Sequence, residues 1–190
     1  MTRVPLIVGM GGTTRSGSTS ERLLRIALDH AATLGCRTLA FGGAQLPFEI
    51  YDPVRVERSD EARALVQALR AADGVLIATP AYHGGVSGLV KNAIDFVEDL
   101  RDDERVYLQG RAVGCIVCAD GSQAIGSTLI ALRAIVHALR GWPTPFGAAI
   151  ETPPPAPGDD RDAVRAAETR ACELVAGEVV DFARAQLRLR

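Results

Sequence analysis

The chain has 190 residues, enough to bury a full core, and is expected to form one domain over 1–190. Its hydrophobic share of 47% and charged share of 23% are those of a globular protein and exclude a disordered one. The formal net charge is −2 with no basic run, which removes the electrostatic footprint of a nucleic-acid binder. No apolar stretch reaches the roughly 20 residues that cross a bilayer, so no membrane contact is expected. The apolar core of "MTRVPLIVGM" is too short for a secretory leader, and glycines stand where a cleavage site would be. A cytoplasmic location is the resulting expectation.

In chain order, an apolar run at 4–10 predicts a first strand. A glycine- and hydroxyl-rich turn follows, and then a helix over 18–34 with Leu23, Leu24, Ala27, Leu28 and Ala31 on one face. A second strand is expected at 37–41 and a second helix at 60–71, carrying Ala64, Leu65, Ala68 and Leu69. The third strand, 74–79, precedes a helix over 86–100 with Leu89, Val90, Ala93, Ile94 and Val97. The fourth strand, 112–119, precedes a helix over 125–139 with Leu129, Leu132, Ile135, Val136 and Leu139. A weaker strand at 144–150 and a long helix over 161–187 complete the chain. "TPPPAPGDD", 152–160, reads as the linker before that helix.

Strand and helix thus alternate five times, the signature of βαβ crossovers. The expected fold is α/β: a five-stranded parallel sheet of order 2-1-3-4-5 with helices on both faces. Cys115 and Cys118 form a C-x-x-C inside the fourth strand. Residues three apart on a strand point to opposite faces, so the pair reads as core filling, not as a redox or metal site. No metal site is expected.

The turn after the first strand carries the first chemistry. Ser18 and Glu21 have capping-box spacing, which fixes a helix N-terminus directly behind the glycines. Free backbone N–H groups and the helix dipole make such a point an anion site. Thr13, Ser16, Ser18 and Thr19 add hydroxyls, and Arg15 adds a guanidinium. A plain capped turn needs only one hydroxyl, so phosphate binding is the better reading. Gly12 to Thr19 resembles an ATP-binding loop, but Ser18 stands where the lysine is required. "GMGGTT" fails the last glycine of a dinucleotide fingerprint, and no acid closes the second strand to hold a ribose. A monophosphate fits best, and in this architecture FMN is the obvious carrier.

Two further loops belong to the same rim in the order 2-1-3-4-5. After the third strand comes "TPAYHGGVSGLVKNAID", 79–95, where Pro80 is expected to break the strand. There Gly84, Gly85 and Gly88 free the backbone, Tyr82 supplies an aromatic face and Ser87 can cap the next helix. After the fourth strand, "ADGSQAIGS", 119–127, supplies a third small-residue loop.

On these residues the chain resembles the NADPH-dependent FMN reductase family, flavodoxin-like proteins that reduce FMN with NAD(P)H. That family's first loop, G-S-x-R-x-x-S, is met by Gly12, Thr13, Thr14, Arg15, Ser16, Gly17 and Ser18. Its second motif is met by Pro80, Tyr82, Gly85, Ser87, Gly88, Leu89, Lys91, Asn92, Ala93 and Asp95, with Val90 where leucine is common. The likeness runs from about residue 4 to 150. Ala81 departs from a frequent glutamate, and "ADGSQ" replaces a run of glycines. The resemblance implies that Thr13, Arg15, Ser18, Thr19 and Ser20 hold the FMN phosphate. It places Pro80, Ala81, Tyr82, His83 and Gly84 beside the ribityl chain and ring, with Asp120, Gly121 and Ser122 at the other edge. It implies hydride transfer from NADPH or NADH to FMN, with no catalytic acid–base pair. Electrons would then pass to a quinone-like small-molecule acceptor or, as free reduced flavin, to a flavin-dependent monooxygenase. A flavodoxin-type electron carrier and an FMN-dependent enzyme tailoring a pathway intermediate are the alternatives. A homodimer or homotetramer is implied as well.

Overall fold

The computed structural model describes residues 3–154, 158 and 160–189. Of the linker expected at 152–160, residues 155–157 and 159 lie outside the described residues.

Strand β1 (Leu6–Gly11) lies inside the sheet, paired in parallel with the edge strand β2 (Arg37–Gly42) on one side and with β3 (Gly74–Tyr82) on the other. β3 pairs with β5 (Ala112–Ala119), also in parallel, with Gly74 opposite Ala112. Two short strands, β6 (Trp142–Pro143) and β7 (Ala148–Glu151), then pair one after the other along β5. The two-residue β4 (Gly85–Val86) folds back antiparallel on the end of β3. Taking β6 and β7 as one interrupted strand, the order is the expected 2-1-3-4-5.

Among the described residues the sheet therefore has seven strands where five were expected, for two local reasons. First, Pro143 and Pro145 offer no N–H, and Thr144 spends its hydroxyl on Phe146 O at 2.7 Å. The chain bulges there between its two pieces of ladder. Second, His83 and Gly84 both have positive φ, 53° and 78°, making the two-residue turn of a tight hairpin between Tyr82 and Gly85. Pro80 does not break β3, contrary to the expectation. Its ring nitrogen faces the β1 side, where pairing has already ended at Gly11 and Ala78, so no ladder bond is lost.

Helices α1 (Thr19–Thr33) and α5 (Arg161–Arg188) cover one face, over Ile7, Leu76 and Ile116. Helices α2 (Asp60–Ala71), α3 (Gly88–Asp95) and α4 (Ser122–Ala138) cover the other, over Val8, Val75 and Val113. α3 is shorter than expected. Ser87 caps it by accepting from Val90 N at 3.4 Å, residue 86 belongs to β4, and the last turn, Phe96–Leu100, is a 3₁₀ helix. Along β5 the side chains alternate as the period of two requires: Cys115 packs under α4 and Cys118 under α5. The C-x-x-C is thus split by the sheet. Gly114 lets α5 come close, since a Cβ there would lie 2.4 Å from Val175 Cγ1.

One buried cation with no motif around it ties neighbouring elements together. Arg111 is buried and donates to Arg70 O and Ala72 O at 2.9 and 3.0 Å, and to Tyr107 O at 2.9 Å. It caps the last carbonyls of α2 from the start of β5.

Candidate active site

The carboxyl ends of β1, β3 and β5 open onto one cavity of about 390 Å³, within the roughly 300–1,000 Å³ of small-molecule sites. Thr13, Arg15, Ser18, Thr19 and Ser20 form one wall, and Pro80, Ala81, Tyr82 and His83 a second. Cys118, Ala119, Asp120, Gly121 and Ala124 form the third, and Thr152 closes the side. Gly84 and Ser122 were expected here but do not line the cavity. Gly84 turns toward α4, where its carbonyl accepts from Ser127 Oγ at 3.1 Å, and Ser122 is an exposed first residue of that helix.

Cys118, Ala119, Ala124 and Thr152 were not expected in the site. Cys118 was available to the alternation rule, which sets it on the same face of β5 as Ile116 and Asp120. Thr152 had no signal within "TPPPAPGDD". It reaches the cavity because its N–H continues the ladder past β7, donating to Ala119 O at 2.9 Å.

The first wall is a tight turn on the N-terminus of α1. Gly12 and Gly17 hold φ of 100° and 70°, values that favour glycine. Thr13 Oγ1 accepts from Arg15 N at 3.1 Å, and Ser18 Oγ accepts from Glu21 N at 3.4 Å. Glu21 does not complete the reciprocal half of a capping box on Ser18. Its Oε2 instead accepts from Gly17 N at 3.1 Å, which sets a carboxylate on the loop's own backbone. Ser20 Oγ is buried 3.5 Å from Ser18 Oγ, while Arg15 is exposed and has no ion-pair partner among the described residues.

The third wall differs from the expected loop over 119–127. α4 begins already at Ser122, leaving Asp120 and Gly121 as the turn. Gly121, at φ −137°, is its N-cap and no side chain caps the helix. The first amide N–H groups of α4 are therefore without intrahelical acceptors beside the cavity. Burial pushes the Cys118 thiol up to about 11, so it borders the site as a neutral group near pH 7. Tyr82 is 58% exposed at the mouth.

The cavity lies at the carboxyl rim of the parallel sheet of an α/β protein, with hydroxyls and a cation on a helix N-terminus, chemistry that suits an anion. The profile of NADPH-dependent FMN reductases matches residues 5–152, from the start of β1 through Thr152, and the chain belongs to that family of enzymes. The fold is flavodoxin-like. Among relatives, the FMN-dependent NADPH-azoreductase of Staphylococcus aureus (strain USA300) is 28% identical over 139 residues, 70% of each chain. Among solved structures, RosB with bound 8-demethyl-8-formylriboflavin-5′-phosphate superposes with a TM-score of 0.76 at 17% identity, covering 96% of this chain and 80% of that one. FerB, an NAD(P)H:(acceptor) oxidoreductase from Paracoccus denitrificans, gives 0.73 at 18% identity, covering 96% and 99%. Among the described residues, no helix is long and apolar enough to cross a membrane and no group of side chains is placed to hold a metal ion.

Proposed function

We propose that the protein binds FMN in the 390 Å³ cavity and reduces it with NADPH or NADH. The observation that carries the reading is the convergence of a hydroxyl- and arginine-bearing helix N-terminus and the β3 and β5 walls on one cavity. Arg15, Thr13, Ser18, Thr19 and Ser20 hold the phosphate with hydroxyls, backbone N–H groups and a bidentate guanidinium. Pro80 to His83 would hold the ribityl chain and ring from one wall, and Asp120, Gly121 and Ala124 from the opposite one. When bound, FMN supplies the capacity to accept a hydride from a nicotinamide ring. The chain orients that ring, and the uncapped amides of α4 offset negative charge on it as oxyanion donors would. No side chain in the cavity has to move a proton for this.

The electrons pass on to a quinone-like small molecule or, through free reduced flavin, to a flavin-dependent monooxygenase. The azoreductase activity named for the staphylococcal relative adds azo compounds as acceptors to assay. A net charge of −2 speaks against a flavodoxin-type carrier, which works through a strongly acidic surface. A homodimer or homotetramer in the cytoplasm completes the reading. Phe48, Ile50, Val54 and Val56, 56–93% exposed, supply apolar surface for it, and a monomer at micromolar concentration in sedimentation would overturn that part.

The main test is an FMN titration followed by flavin fluorescence, together with NADPH and NADH oxidation. Arg15→Ala is expected to weaken FMN binding by ~1.5–3 kcal/mol, about 10- to 150-fold in Kd. A wild-type protein that takes up no FMN and oxidises no nicotinamide with flavin added overturns the function. An unchanged affinity in the variant removes Arg15 from the phosphate site.

A further inference from the structure

A second recess, of about 540 Å³, opens at the same rim between the N-termini of α1 and α5. It meets the flavin cavity at Thr19 and Thr152, which line both. Thr19 belongs to the phosphate loop, so the recess continues from the end of the site where a phosphate would sit.

Its charges are unequal in kind. Glu168 is buried, and its carboxylate is matched by Arg22 at 2.8 Å, which leaves that pair neutral. Arg161 and Arg165 stand at the first and fifth positions of α5 and have no ion-pair partner among the described residues. Two like charges at i and i+4 repel one another, and cations at a helix N-terminus oppose its dipole. Asp160, the N-cap, and Asp162 complement the dipole in the first turn, but among the described residues neither pairs with either guanidinium, whereas an anion in the recess would. Glu151, at the end of β7, adds a carboxylate that can accept from ribose hydroxyls or an exocyclic amine, and Val164 gives an apolar wall for a base. The volume is far larger than a lone phosphate requires.

We infer that this recess binds the phosphorylated adenosine half of a nucleotide, with Arg161 and Arg165 on the phosphate. The assignment rests on the FMN reading, because it takes the recess as the continuation of that site. The same chemistry is carried by the adenylate half of FAD, reached through the flavin phosphate, and by the 2′-phosphoadenosine end of NADPH. Two titrations separate these sources, each made on the full-length protein and on R161A/R165A, with circular dichroism to check the fold. Calorimetry with adenosine 2′,5′-bisphosphate reads the NADPH source, and flavin fluorescence with FAD and FMN in parallel reads the FAD source. The double variant is expected to lose about tenfold in affinity for adenosine 2′,5′-bisphosphate, or about tenfold in the preference for FAD over FMN. FMN affinity itself should be unchanged. If both the bisphosphate affinity and the FAD-to-FMN ratio are the same in the two proteins, the recess is not a nucleotide subsite. Failure of FMN to bind the wild type would sink the earlier reading, while the bisphosphate titration would still decide this one.

Discussion

Asn92 offers a quantitative test of how the second motif works. Its side chain is buried and makes three contacts with one surface segment: Nδ2 donates to Pro47 O at 3.1 Å and to Glu49 O at 2.9 Å, and Oδ1 accepts from Tyr51 N at 2.9 Å. The asparagine thus fastens residues 47–51 to α3 and does not face the cavity. In Asn92→Ala, three backbone groups lose their partners at about 0.5–1.5 kcal/mol each, a loss of roughly 2–4 kcal/mol. For a chain of this size that corresponds to a fall in Tm of about 5–15 °C. Asn92→Asp separates packing from hydrogen bonding. It keeps the acceptor for Tyr51 N but sets a carboxylate against two carbonyl oxygens, so it should be no more stable than the alanine variant at pH 7. It should recover in part when acid protonates it into a donor. Urea unfolding followed by circular dichroism measures both variants, and FMN affinity measured alongside should change by less than about twofold. A stability loss within the about 0.5 kcal/mol usual for surface changes, or an FMN defect larger than the stability defect, would refute the assignment of Asn92 to the loop.

The phosphate loop carries its own competing anion, since Glu21 Oε2 sits on Gly17 N at 3.1 Å. Glu21→Gln is expected to tighten FMN binding about two- to fivefold, the scale of one partly screened like charge; weaker binding would mean that the carboxylate organises the loop more than it repels the ligand. His83 has φ 53° in the β3–β4 turn, so His83→Val should cost about 1–2 kcal/mol in urea unfolding, while His83→Gly should not. Equal stability of the two would show that the turn is not held in the left-handed region. Burial raises the thiols of Cys118 and Cys172 from 9.0 to about 11 and about 12. The folded state then keeps protons that the unfolded state releases, so stability is intact below pH 9 and falls as pH rises toward 11–12. The urea midpoint should decline over that window, and less so in Cys118→Ala; a flat profile would place these thiols in contact with water.

The hydrophobic periods were enough to read the alternation of strand and helix, and hence a parallel sheet of order 2-1-3-4-5. The glycines, hydroxyls and arginine of 12–20 likewise announced an anion loop, because backbone N–H groups at a helix start are a local property. Local patterns could not show where neighbouring strands stop. Pro80 continues β3 only because β1 has already ended beside it, and the hairpin at His83 depends on two positive φ values that histidine does not advertise. The start of α4 at Ser122, ahead of the expected 125, has a similar reason. Gly121 caps it without a side chain, so no capping hydroxyl marks the boundary. Thr152 entered the cavity, and Arg161 and Arg165 came to face the neighbouring recess, only through the crossover that returns α5 beside α1. Sequence patterning decides which residues form an element and which side of it is apolar, since both follow from the period of the backbone. Which distant side chains share a cavity is decided by sheet order and crossover, where residues well over a hundred positions apart meet.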